Sequence, residues 1–401
     1  MVTAEFNPFA PGMLADPYPM YNALRQHSPV HWSGLMEAWV LSRFEDVDFV
    51  LTDPRFSADR SRARNRFAQM AAQQQQQFGP LARAPTMLGS DPPEHTRLRR
   101  LVSKAFTPRA VEDLRPRIQE IVDHLLDSLE GRSDFELVRE LAYPLPVIVI
   151  AEMLGVPPED RDRFKHWSDT VVATLGGPFT PPDVLERARQ SIEELAEYIR
   201  DVVKQRRRQP KGDLISGLVA AEEKGQVLSE DEIISSTILL LIAGNETTTH
   251  LISNGIMALL KNPDQLERLK NDLSLMPSAV EELLRYAGPV QATGRVAMEG
   301  VEIAGQAVKE GEIAFVLLAA ANRDPAKFEN PDQLDVARNP TDHLALGDGI
   351  HFCLGAPLAR AEAQIAVGAL LSRFPKLSQA GEPEWGGTFI IRGVKHLPLS
   401  V

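Results

Sequence analysis

The chain is 401 residues long, 43% hydrophobic and 24% charged, the balance of a globular protein with ample length for a sizeable core. Its net charge of −12 and pI near 5.3 argue against general nucleic-acid binding. The one cysteine, Cys353, excludes an internal disulfide and cannot by itself build a zinc or iron–sulfur site, and such scarcity fits a reducing cytoplasm.

Met1–Tyr21 is polar and proline-rich, with no charged-then-apolar leader. The longest apolar stretch, Ile238–Ala243, is far too short to span a bilayer. The expectation is a cytoplasmic protein with neither secretion signal nor membrane anchor. Strands are expected at Val30–Trp32, Ala38–Ser42, Val296–Ile303, Ile313–Ala319 and near the C-terminus. Most of the remainder has helical periodicity, so the predicted class is mainly α with small β-sheets. Prolines cut the helical run and start several helices, as at Pro108, Pro157 and Pro182. Arg60–Pro85 reads as a loop, its Gln73–Gln77 tract as a flexible polar segment. Prolines 92 and 93 open a helix on which His95 and Arg99, four apart, share a face. Lys204–Arg208 reads as the solvated cationic end of another helix.

Ser229-Glu230-Asp231-Glu232 is a capping box, and the helix it opens runs to Lys261, ahead of Asn262-Pro263. At 1.5 Å per residue it is about 48 Å long, enough to cross a domain. Its middle, Ile238–Ala243, is apolar on all sides and is expected to be buried. Gly244, Glu246 and Thr247–Thr249 then break the local rules for a core helix. Either the helix kinks at Gly244 and exposes polar residues beyond it, or the departure is functional. On the second reading Ala243 and Thr247 share a face. Small residues at 243 and 244 leave room for a planar cofactor and a diatomic ligand, and Thr247 and Glu246 handle protons.

Glu282 and Arg285 form a Glu-x-x-Arg pair on one helical face, ordinarily worth a few tenths of a kcal/mol, about 0.2–0.5. Cys353 lies in Leu346-Gly347-Asp348-Gly349-Ile350-His351-Phe352-Cys353-Leu354-Gly355, just before a helix expected over Leu354–Phe374. A helix N-terminus favours a thiolate. Gly349 and Gly355, lacking Cβ, let backbone approach a macrocycle closely. Three readings are open: a haem ligand, a buried structural thiol, and a nucleophile paired with a histidine.

Gly349-x-His351-x-Cys353-Leu354-Gly355-Ala356-Pro357-Leu358-Ala359-Arg360 resembles the cysteine-ligand loop of bacterial cytochrome P-450 haem-thiolate monooxygenases, with Leu346 where the family usually has Phe. Ala243-Gly244-Asn245-Glu246-Thr247 resembles the family's oxygen-activation motif. Asp91-Pro92-Pro93-Glu94-His95 with Arg99 resembles its haem clamp. Glu282 and Arg285, and the segment Asn322–Arg338, are similar to two more of its motifs. The resemblance covers nearly the whole chain. It implies a single cytochrome P-450 domain over 1–401, with the small β-rich part formed by about 28–55 and 290–320 together with the C-terminal strands. In that fold haem lies between the long helix and the cysteine loop.

The implied cofactor is haem b (iron protoporphyrin IX) on the Cys353 thiolate, with dioxygen as co-substrate and Thr247 and Glu246 as catalytic residues. His95, Arg99, Arg295 and His351 are implied to meet the propionates, and Ala243, Gly244 and Gly355 to lie against the macrocycle. Glu282, Arg285 and Arg338 form a structural network. By family position Met87, Leu88, Leu240, Ala243, Val290, Ala292, Thr293, Phe389 and Ile390 line the substrate cavity, and the Gln73–Gln77 segment takes a second reading as a mobile loop over it. They are mostly aliphatic and suit a sizeable apolar molecule: a macrolide, terpenoid, steroid or fatty acid. His250 is not carried over as functional. No Gly-x-Gly-x-x-Gly signature is present, so electrons are expected from a ferredoxin or flavodoxin with its NAD(P)H reductase. Arg97, Arg100, Lys104 and Arg360 are candidate cations for that partner. The competing readings are a peroxide-driven enzyme of the same fold, a non-catalytic haem sensor or carrier, and a cysteine-nucleophile hydrolase.

Overall fold

The computed structural model describes residues 6–66, 69–70, 84–172, 180–223 and 225–401, so the Gln73–Gln77 tract lies outside the described residues. The chain forms two compact units. The first comprises Met1–Phe56, Arg115–Leu145 and Thr247–Val401, and the second Ser57–Leu114 and Pro146–Glu246.

The first unit carries the strands. Val30–Ser33 and Ala38–Leu41 form an antiparallel hairpin with Val30 opposite Leu41. Ile313–Val316 lies parallel to the second of these, with Ala314 opposite Trp39, and antiparallel to Thr293–Ala297 on its other side. The apolar residues of these strands share a core with Val47, Val50 and Leu51 of the helix Phe44–Thr52 and with Val301, Ile303 and Val308. Truncating one such buried aliphatic to alanine costs about 2–5 kcal/mol.

Two expected strands differ in detail. Val296–Ile303 is split: one strand ends at Ala297, a turn follows, and Val301–Ile303 pairs with Gln306–Val308. The strand expected to reach Ala319 ends at Val316, after which the alanine-rich Leu318–Ala321 closes a helical turn, as alanine's helix propensity favours. At the C-terminus Glu384–Gly387 pairs with Arg392–His396, and Pro398–Ser400 bridges Ser378–Gln379 and Asp134–Glu136.

The second unit is helical. Arg161–Val172 packs along Pro182–Arg208 through the buried Trp167, whose Nε1–H donates to Glu194 at 2.9 Å. The cationic end of Pro182–Arg208 is not wholly solvated as expected. Arg206 is buried, donating to the Asp213 carboxylate and, at 3.2 Å, to the Gly155 carbonyl. The capping box forms as read: Glu232 N–H donates to Ser229 Oγ at 3.2 Å, and Ser229 N–H to Glu232 Oε2 at 2.7 Å. The helix spans Glu230–Lys261. Among the described residues no helix is long and apolar enough to cross a membrane.

Candidate active site

The middle of the long helix is not buried all round. Ile238 and Leu241 are buried, but Ala243 is exposed and Leu240, Gly244 and Thr247 are half-exposed. These four sit at i, i+3, i+4 and i+7, so they form one accessible face, apolar until it reaches the Thr247 hydroxyl. A Cβ added at Gly244 would meet nothing within 4 Å. One residue before Glu246, Asn245 Nδ2 donates to Ser168 Oγ at 2.9 Å, and both are buried. That bond fixes the turn carrying the acid–alcohol pair. Beyond it Thr248, Thr249 and His250 are buried, and the His250 ring packs on Gly393, where a Cβ would collide with it. His250 is thus core.

The cysteine loop is built by local bonds. Asp348 caps a turn of 3-10 helix over Gly349–His351, and the Cys353 N–H donates to Leu346 O at 2.9 Å. Gly349 is needed for the backbone itself: its φ is +64°, and a Cβ would stand 3.1 Å from Leu51 O. A Cβ at Gly355 would lie 4.0 Å from the Cys353 sulfur. The following helix spans Ala356–Arg373, so it begins three residues past a half-exposed thiol. The positive end of that helix's dipole favours an anion there.

His95 is buried on the helix Glu94–Ala105, with Arg99 half-exposed one turn on. Arg97 turns away to the carboxylates of Glu94 and Glu232. Arg295 is buried on its strand, donating to Gly294 O at 3.0 Å, and His351 is half-exposed in the cysteine loop.

The residues read as substrate-lining differ in exposure. Leu88 is exposed, Met87 nearly buried, and Ala292 has no accessible surface. Val290, Thr293, Phe389 and Ile390 are half-exposed and drawn together, because Val290 bridges Ile391 and Gln291 N–H donates to Ile390 O at 2.8 Å.

Glu282 and Arg285, both buried, form a two-pronged pair at 2.7 and 2.8 Å. Arg338 Nε donates to Glu282 at 3.1 Å, and Arg285 also donates to the carbonyls of Asn322 and Pro331 at 2.8 Å. Sequence reasoning gave the neighbouring Glu281 no role. Burial pushes its carboxyl up, but hydrogen bonds from Arg360 and then His343 outweigh that and hold it at about 2. The doubled acid Glu281-Glu282 on a helix with few exposed positions was the available signal. Glu362, also unassigned, is 2% exposed, and burial pushes it up to about 8.

A lone half-exposed cysteine ahead of a helix, and a long helix with an accessible apolar face ending on a hydroxyl, are features a haem-thiolate protein needs. The family description "Cytochrome P450" matches residues 31–385. Cytochrome P450 CYP107DY1 of Priestia megaterium is 44% identical over 97% of both chains. Cytochrome P450 monooxygenase PikC of Streptomyces venezuelae is 43% identical over 96% of this chain and 91% of its own. The solved structure of PksS from the Bacillus subtilis bacillaene polyketide synthase superposes with a TM-score of 0.90 at 39% identity, covering 98% of this chain and 99% of its own.

The chain belongs to the cytochrome P450 family. It is a P450 monooxygenase, using haem on a cysteine thiolate with dioxygen as co-substrate, and Cys353 is its one cysteine. The residues present fit that group: a half-exposed cysteine three residues ahead of a helix, in a loop whose Gly355 would bring a Cβ no closer than 4.0 Å to the sulfur. The sensor and hydrolase readings fall with the family assignment.

Proposed function

We propose that this monooxygenase inserts one oxygen atom into a C–H or C=C bond of a sizeable apolar small molecule. We further propose that its two electrons come from a ferredoxin or flavodoxin served by an NAD(P)H reductase, in the cytoplasm. The observation that carries the reading is the accessible face Leu240–Ala243–Gly244–Thr247, apolar and then abruptly hydroxylic. Half-exposed Val290, Phe389 and Ile390 add aliphatic and aromatic surface of the kind an apolar molecule needs. PksS is named for polyketide biosynthesis, which supports a substrate of polyketide size and polarity.

Haem, when bound, supplies dioxygen binding and O–O cleavage, the latter favoured by thiolate donation. The chain supplies position and proton control. Cys353 would hold the iron. His95, Arg99, Arg295 and His351 offer cations and N–H donors for the two propionates. Leu240 and Ala243 present apolar surface to the substrate. The Thr247 hydroxyl would hold a proton for the oxygen chemistry, and Glu246, next to it in the chain, would pass protons to it. Of the four cations proposed for the redox partner, Arg97 and Arg360 are held by carboxylates, while Arg100 and Lys104 are exposed.

An absorbance spectrum of the reduced protein with carbon monoxide tests the core of this reading. Wild type should give the thiolate-ligated Soret position, and Cys353→Ser should lose it. Spin shifts on adding macrolides, steroids, terpenoids and fatty acids then rank the substrate classes. Turnover with peroxide alone, matching that with reduced partner, would favour the peroxide-driven reading.

A further inference from the structure

The N-terminal segment of the first unit is tied down at two points. Phe6 has no accessible surface, and its carbonyl accepts the Ser33 hydroxyl at 3.4 Å. Further on, the buried Arg392 donates from Nε to the Leu14 carbonyl at 2.6 Å and from Nη2 to the Ala15 carbonyl at 2.7 Å. Its guanidinium lies 3.9 Å over the Trp385 ring, which holds the two donors in place. Phe9 stands between these anchors in the chain, yet it is 53% exposed. Tethering the segment does not require it. A large aromatic left this accessible buries too little of itself to be there for stability.

The Phe9 ring meets Phe389 edge to face, with centroids 6.3 Å apart and planes at 77°. Phe389 meets Phe315 in the same way, at 5.4 Å and 75°. Phe315 belongs to the strand Ile313–Val316, in the middle of the sheet, so it is a rigid base. Phe389 lies in the turn joining Glu384–Gly387 to Arg392–His396. The backbone of that turn is fixed: Thr388 N–H donates to Ile391 O at 2.6 Å, and Thr388 Oγ1 accepts the N–H groups of Ile390 and Ile391 at 3.1 and 3.2 Å. The half-exposed Phe389 side chain gains no such hold from the backbone, so the rings it touches on either side set its position.

We propose that Phe9 is a positioning residue for substrate binding: it pins the Phe389 ring against Phe315, so that an apolar substrate meets a fixed aromatic surface. The proposal rests on the reading of Phe389 as a substrate-lining residue. A pinned ring has already lost its rotamer freedom, whereas a free one must be ordered each time a substrate binds, at a cost in affinity. Removing Phe9 therefore weakens binding of ligands that reach Phe389 and spares those that do not. A segment that merely packed against the turn would lower stability when cut back and would leave binding alone.

Spectral titration of the ferric holoenzyme with dodecylimidazole tests this, because the imidazole nitrogen ligates haem iron while the apolar tail fills the cavity. Plain imidazole, which has no tail, is the control. Phe9→Ala should weaken dodecylimidazole about 2- to 10-fold, the worth of one edge-to-face ring pair, with imidazole affinity and the thermal midpoint close to wild type. Phe9→Tyr keeps the ring and should bind as wild type does, whereas Phe9→Leu, apolar without a ring, should behave like Phe9→Ala. In a Phe389→Ala background, Phe9→Ala should add no further loss, since the ring it positions is gone. Unchanged dodecylimidazole affinity in Phe9→Ala beside a clear loss in Phe389→Ala overturns the proposal and leaves the reading of Phe389 standing. Additive losses in the double variant, or an equal loss for imidazole, overturn it as well. If Phe389→Ala itself binds dodecylimidazole like wild type, the reading of Phe389 fails and takes the proposal with it.

Discussion

Thr247 is half-exposed on a face whose other members are apolar, so its hydroxyl is the one proton-bearing group that face offers. Thr247→Ala keeps the fold and removes that group. Product formed per electron consumed should fall about 10²-fold, the range for a lost general acid or base, with the thiolate spectrum unchanged. Equal coupling in the two proteins would take Thr247 out of the mechanism. Glu362 is a different kind of single residue, a buried carboxyl raised from 4.5 to about 8 by burial. Below its unfolded value the group is neutral in both states and costs no charge burial. As pH rises from about 4.5 toward 8, the unfolded chain loses the proton while the folded chain keeps it, so stability drains away at up to about 1.4 kcal/mol per pH unit. Glu362→Gln, neutral throughout, should match wild type near pH 5 and exceed it increasingly toward pH 8 in denaturant titrations. Parallel pH profiles would show that Glu362 does not hold its proton.

Elements divide by how local their causes are. The capping box was legible because Ser229 and Glu232 satisfy each other within one turn. The accessible face of the long helix was not, because its apolar run reads as core unless its neighbours are known. Burial of Arg206 was likewise hidden, since it depends on Asp213 and on the distant Gly155 carbonyl. The Arg360–Glu281 fork joins residues 79 apart, where no periodicity reaches. Glu282 and Arg285 could be paired from spacing, but spacing alone values them as a solvated pair. Burial changes that value. Glu282→Gln leaves Arg285 charged in the core with Arg338 also short of its carboxylate, and should cost about 3–5 kcal/mol. Thermal unfolding of the holoenzyme against wild type measures it. A loss no larger than a surface pair's would mean that carbonyls from Asn322, Pro331 and Gln333 suffice for Arg285.

At the scale of the whole molecule, a net charge of −12 should repel an acidic electron donor. Arg100 and Lys104, exposed on the helix that bears His95 and Arg99, are local cations that oppose it. The sign of the salt dependence separates the two effects, because screening weakens whichever dominates. If the overall charge governs encounter, reduction by a ferredoxin speeds up as salt is added. If the local cations govern it, reduction slows. We expect it to slow, since short-range complementarity steers docking while distant like charges are screened beyond about 8 Å at physiological salt. Arg100→Gln with Lys104→Gln should then lower the rate at low salt and flatten its decline, with the carbon monoxide spectrum unchanged. Stopped-flow reduction across a salt series reads both quantities. A rate that rises with salt in wild type, or one that the double variant leaves untouched, would move the docking site away from this helix.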